Sequence, residues 1–273
     1  MWVVRAAAVS LFCALMMTGS GCRKQSASES QAGSQTGTPE LRIAAASDLK
    51  FALDQISNEF RREHPQIAVQ ITYGSSGNFY SQLINKAPFD LYLSADVSYP
   101  RKLIDAGIGE HSAMFPYAVG RIVIWVPNDS PLDIGKLGFA ALRDPGMRKI
   151  AIANPAHAPY GRAAQAALQF HEMWDSLQPK LVFGENIAQT AQFVQTGAAD
   201  AGIIALSLAI APSMKSAGRY YLIPKDEYPP LEQAGLILPW ARDRSAAEAF
   251  RAFLTGPSGQ AILKKFGFDT TAP

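Results

Sequence analysis

Short apolar runs alternate along this chain with stretches whose apolar residues recur every three or four positions. Leu41–Ala46 has the length and composition of a buried strand, and the next segment sets Leu49, Ala52, Leu53, Ile56 and Phe60 on one helical face. Ser47, at the junction, is the expected N-cap. Ile67–Tyr73 alternates as a strand does, and Gly74-Ser75-Ser76-Gly77 turns into a second helix carrying Phe79, Leu83 and Ile84. Leu91–Ala95 predicts a third strand and Pro100–Ala106 a third helix, closed by Gly107.

The β-branched run Val119–Val126 predicts a strand, with a loop over Pro127–Pro131. Ile150–Ala153 is a short strand that leads through Asn154–Gly161 into a helix from about Arg162 to Met173. Ile187–Gln195 reads as a helix, Ala201–Ala205 as a buried strand, and Tyr220–Ile223 and Leu236–Leu238 as further strands. The tail 244–268 is helical with a break at Gly256-Pro257. Strands alternating with helices predict an α/β fold with mostly parallel sheets flanked by helices. No internal repeat is evident.

The first 22 residues are of another kind. Arg5 precedes an uncharged apolar run, Ala6 to Met17, which closes on Thr18-Gly19-Ser20-Gly21 and Cys22. A basic start, a short apolar run and a small-residue cleavage zone predict a signal peptide over 1–22. A bilayer span needs roughly 20 apolar residues, and this run is shorter. Of the two cysteines, Cys13 lies inside the apolar run, so cleavage leaves Cys22 alone. A lone cysteine in an exported protein needs a role. Gly21-Cys22 resembles the end of a bacterial lipobox, although Gly19 stands where that motif usually has Leu, and this implies lipidation of Cys22. Residues 23–40 are rich in Ser, Gln and Gly and predict a flexible tether. The chain is thus expected in the periplasm or on the outer cell surface, held to the membrane only by lipid.

Hydrophobic residues make up 48% of the chain, enough for substantial cores, and the formal net charge is only +2. No basic tract interleaved with aromatics appears, which argues against a nucleic-acid partner. The four histidines are scattered and form no metal-type pair. Neither a nucleophile elbow nor a Gly-rich phosphate motif occurs, so the chain is expected not to be an enzyme. A catalytic group assembled in space leaves an exported α/β hydrolase as the alternative of another class.

Hydroxyl-bearing turns stand out instead. Ser47 follows the first strand and Ser75-Ser76 the second. In an open parallel sheet such junctions lie at the carboxyl ends of the strands, where ligands bind. A helix start presents unpaired N–H groups and the positive end of a dipole, which suits an anion. Serines at helix starts are also routine caps, so this pattern leaves both roles open.

Three blocks then carry a resemblance. Leu41–Ser47 (LRIAAAS), Tyr73–Asn78 (YGSSGN) and Ala87–Asp96 (APFDLYLSAD) are similar to the opening of the periplasmic molybdate-binding proteins of ABC transporters. The likeness continues in Ala153–Gly161, Glu185–Ala188, Asp200–Ile204, Gly256-Pro257 and Phe266–Phe268, across essentially all of 41–268. The resemblance implies a two-lobed, type II periplasmic-binding-protein fold with the ligand cleft between the lobes. Lobe one would comprise 41–118 plus 232–273 and lobe two 119–231, with strands near 119–126 and 234–239 as the hinge.

It also implies capture of molybdate or tungstate as an intact oxyanion for an ABC permease, with no cofactor and as a monomer. By position Ser47 and Ser76 match hydroxyl donors, and Tyr160 and Ile187 match backbone N–H donors. No side chain would ligate the molybdenum itself. Ser47, as cap and donor, is expected to matter for stability and binding, Ser76 for binding. Many members place a ligand tyrosine where this chain has Ala205, so the Tyr160 hydroxyl is the candidate substitute, or else the ring packs at the cleft mouth. Arg162 is expected to be a solvated surface residue. Another oxyanion or a small organic anion stays open as the ligand.

Overall fold

The computed structural model describes residues 40–270. The expected signal peptide, Cys22 and residues 23–39 of the tether lie outside the described residues. Glu40, expected to end the tether, is the first residue of a strand.

The chain begins with β1 (Glu40–Ala46), a 3-10 turn over Ser47–Leu49, and α1 (Lys50–Glu63). There follow β2 (Ala68–Gly74), α2 (Ser76–Ile84), β3 (Leu91–Ser94), α3 (Ser98–Asp105) and β4 (Met114–Gly120). The second stretch holds β5 (Ile122–Pro127), α4 (Ile134–Leu137), β6 (Ile150–Ala153), α5 (Pro159–Phe170) and α6 (Trp174–Leu177). It continues through β7 (Leu181–Gly184), α7 (Ile187–Gln195), β8 (Ala201–Ala205), α8 (Leu206–Ala209), α9 (Pro212–Lys215) and β9 (Gly218–Leu222). The chain then returns in β10 (Leu231–Ile237), α10 (Arg244–Thr255) and α11 (Pro257–Lys265).

Two five-stranded sheets result, ordered β2-β1-β3-β10-β4 and β7-β6-β8-β5-β9. In each, four strands point one way and one, β10 or β5, runs against them. The same order is thus built twice, although no sequence repeat announces it. The strand that runs backwards in each sheet is the first to arrive from the other.

Each sheet has its own apolar core, and Phe51 on α1 packs against both. The buried face of α1 is the one the periodicity marks, from Ala52 through Phe60. Phe60 meets Phe250 and Phe253 edge-on at 5.0 and 5.7 Å, which fastens α10 to α1.

The run Val119–Val126 is not one strand. Its first residues finish β4, Arg121 lies between the sheets, and Ile122 onward forms β5. Both halves are buried, so hydropathy shows no seam. The chain crosses between the sheets at Arg121, inside the stretch 119–126 expected as hinge, and again over 223–230, ahead of the expected 234–239. Arg121 Nε donates to Tyr228 Oη at 3.3 Å and Nη2 to the Ile223 carbonyl at 3.4 Å, so the two crossings are tied together.

Candidate functional site

Because the strand order repeats, so do the junctions that follow the strands. β1 and β2 lead to Ser47 and Ser76, and their counterparts β6 and β7 lead to Tyr160 and Ile187. All four expected residues line one small cavity between the sheets, together with Asp48, Gly74, Ser75, Ala95, Ala158 and Pro159. Its free space is about 10 Å3, room for about one water-sized body. Among the described residues no Lys, Arg or His lines it. Besides the Asp48 carboxyl, its polar lining is made of hydroxyls and helix starts, whose first-turn N–H groups have no partner within their own helix.

The serines divide their roles differently from expectation. Ser75, not Ser76, caps α2, accepting from the Asn78 N–H at 3.4 Å. Ser76 Oγ accepts from the Ala95 N–H at 3.0 Å, which leaves its own proton to donate elsewhere. Ser47 does not cap the helix it precedes, because the 3-10 turn takes it inside the first turn, with Ala46 at the cap position. Its hydroxyl reaches the other sheet instead, donating to Asn186 Oδ1 at 3.1 Å and accepting from the Ala188 N–H at 3.3 Å. Asn186 is the N-cap of α7.

Tyr160 is also placed otherwise. Its ring is buried, and its hydroxyl donates to Asp48 Oδ2 at 2.9 Å. It neither turns outward nor holds its proton free for a ligand. Gln233 completes the group, donating from Nε2 to Asp48 Oδ2 at 2.7 Å. A register shift between Gln233 and Ala234 in β10 accompanies this placement. Ser207 Oγ donates to the Asp48 carbonyl at 2.7 Å. Ala205, where a tyrosine was expected in relatives, is buried in β8.

Asp48 and Gln233 were not singled out by sequence reasoning. Asp48 looks like an ordinary acid at a helix start, and Gln233 lies 185 positions away. Asp48 is fully buried, and burial pushes its carboxyl up to about 6 against the lowering pull of Gln233 and Tyr160. Removing the Tyr160 hydroxyl deletes a bond to this group, worth roughly 1.5–3 kcal/mol. Tyr160→Phe is therefore expected to register first as stability, with a melting temperature lower by roughly 3–12 °C in calorimetry.

Around the cavity the two sheets are fastened directly. The Gly77 N–H donates to the His157 carbonyl at 2.9 Å, and the Ser75 hydroxyl lies 3.1 Å from His157 Nδ1. Asn78 Nδ2 donates to Glu185. Arg162, expected to be a free surface residue, pairs with Asp96 and donates from Nη1 to Tyr99 Oη at 3.1 Å. It clips α5 to the segment after β3.

Residues 41–269 match the family described as bacterial extracellular solute-binding protein. The chain belongs to that family. This solute-binding protein is 36% identical over 202 residues to the molybdate-binding protein ModA of Rhodobacter capsulatus, covering 74% of its own length and 77% of the relative's. Its identity to the ModA of Azotobacter vinelandii is 34% over 229 residues, or 84% and 89% of the two chains. The solved structure of the periplasmic molybdate-binding protein of Azotobacter vinelandii superimposes with a TM-score of 0.78 at 32% identity, covering 85% of this chain and 99% of that one. The two-lobed fold expected from the resemblance is the one observed. Its family makes the chain a binding protein outside the cytoplasm, not an enzyme, and the hydrolase alternative is set aside on that ground.

Proposed function

We propose that this solute-binding protein captures molybdate or tungstate as an intact tetrahedral oxyanion and presents it to the permease of an ABC importer. One observation carries the reading: four helix starts, two from each sheet, converge on one small cavity whose donors are neutral and which no cationic side chain lines among the described residues. The Ser76 hydroxyl and the backbone N–H groups of Tyr160 and Ile187 are the donors, joined by the Ser47 hydroxyl once its bond to Asn186 Oδ1 is exchanged for one to the ion. The molybdate-binding relatives point to the same ligand class. Lobe one (41–118 plus 232–273) and lobe two (119–231) part about the crossings at Arg121 and 223–230 to admit the ion, then close. Size selects against smaller oxyanions such as sulfate. The protein acts as a monomer, anchored in the periplasm or at the outer surface through lipid on Cys22.

A ligand panel followed by thermal unfolding tests this. Molybdate and tungstate at a hundred times Kd are expected to add about 2.7 kcal/mol, roughly 5–11 °C in melting temperature, while sulfate and phosphate add little. If sulfate shifts the protein as far as molybdate, the size argument fails. If only a different oxyanion or a small organic anion acts, that ligand replaces molybdate.

Within this reading Ser76→Ala removes a hydroxyl donor to a charged acceptor, roughly 1.5–3 kcal/mol or ten- to hundredfold in affinity. It also strands the buried Ala95 N–H, so the unliganded protein should melt a few degrees lower. Unchanged molybdate affinity by titration calorimetry would remove Ser76 from the site.

A further inference from the structure

We infer that the cavity takes up one proton together with its oxyanion, shared between Asp48 Oδ1 and a ligand oxygen. The inference rests on the oxyanion reading and concerns a carboxylate that reading leaves unexplained. Asp48 lines the cavity and is 1% exposed. Its Oδ2 is occupied by Tyr160 and Gln233, whereas its Oδ1 is buried and has no hydrogen-bond partner among the described residues.

No cation among the described residues lines the cavity beside it. The groups that face the carboxyl are Tyr160 from α5, Tyr117 from β4, Gln233 from β10 and the backbone N–H groups of Asp48 and Leu49, while Ser207 on α8 holds the Asp48 carbonyl, all neutral at ordinary pH. The Tyr117 hydroxyl is itself committed to the Ser94 carbonyl at 2.9 Å. A bare carboxylate beside a dianion in a buried site is strongly unfavourable, and two such groups share a proton instead. Whether that proton is drawn on the aspartate or on the ligand is one macroscopic state. With the proton in place, Asp48 changes from a repelling charge to a partner of the fourth side of the ion. The proton comes from solvent, and no bond to the metal centre changes.

Burial already brings the free carboxyl to about 6, and the dianion raises it further in the complex. Binding should therefore weaken as pH climbs above that value, by about fiftyfold between pH 6 and pH 8 for a free-state value of about 6. The experiment is calorimetric titration of the whole protein with molybdate at pH 6, 7 and 8, in buffers of different ionisation heat. Expected at pH 8 is uptake of close to one proton per ion bound. Asp48→Asn, whose amide carries a permanent N–H, should bind with an affinity constant within about twofold across this range and take up none. That variant also controls for any protonation of molybdate itself. Should it fail to fold, the proton count of the unaltered protein decides alone. Molybdate binding with a flat pH profile, a proton count near zero, or a wild-type slope retained in Asp48→Asn overturns the inference and leaves the oxyanion reading intact. No binding at any pH overturns that reading and this inference with it.

Discussion

Gly77→Ala is expected to leave the protein folded and to weaken molybdate binding by a hundredfold or more. A Cβ at position 77 would stand 2.5 Å from the His157 carbonyl oxygen and 2.7 Å from Tyr99 Oη, where ordinary contact begins at 3.4 Å. The closer obstacle is backbone of the opposite lobe, which can yield only if the lobes move apart by roughly an ångström. The bond from the Gly77 N–H to His157 is then lost, and the donors on α2 and α5 no longer reach one ion together. Two donors displaced from a charged acceptor, at roughly 1.5–3 kcal/mol each, suffice for that factor. The open form tolerates the methyl, so the unliganded melting temperature should change little. Calorimetry returning wild-type affinity would mean that closure at this contact is not required.

Gly161→Ala should act on the fold itself. Its Cβ would fall 2.1 Å from the Ala153 carbonyl oxygen and 2.7 Å from the carbonyl carbon. Here α5 starts directly against the end of β6, within one sheet, and neither backbone can retreat without unpairing the strand. Overpacking of this kind costs about 3 kcal/mol, or roughly 6–12 °C in melting temperature for a domain of this size. The displaced helix start carries Tyr160, so affinity should fall as well. A melting temperature within 2 °C of wild type would show that the junction is softer than its geometry suggests.

Much of this was legible in the chain. The strand-then-helix order and the hydroxyl turns at Ser47 and Ser75-Ser76 are local features, and local features survive in a linear reading. Tyr160 and Ile187 followed only from the resemblance, since nothing in their own neighbourhoods marks them as donors. What stayed hidden is made of distance or symmetry. Asp48 acquires its meaning from Gln233, far along the chain. Ser47 loses its expected cap because a 3-10 turn shifts the helix start by a residue or two, a change that composition does not record. β7 escaped notice because it is four residues long and only half buried, with Phe183 exposed. The seam at Arg121 is invisible because apolar strands flank it on both sides.

The exchange of strands between the sheets also governs when each can be finished as the polypeptide emerges. β4 pairs with β10 and has no other named strand beside it. Residues through Gly120 can therefore assemble only a three-stranded fragment, β2-β1-β3, with β4 detached and the edge of β3 bare. The bridging strand is not available until Leu231, after every strand of the second sheet has been made. The first sheet begun is thus the last completed, and its long-range pairings delay folding. For an exported chain that is an advantage: a nascent N-terminal half that cannot close stays unfolded enough to be threaded through a membrane.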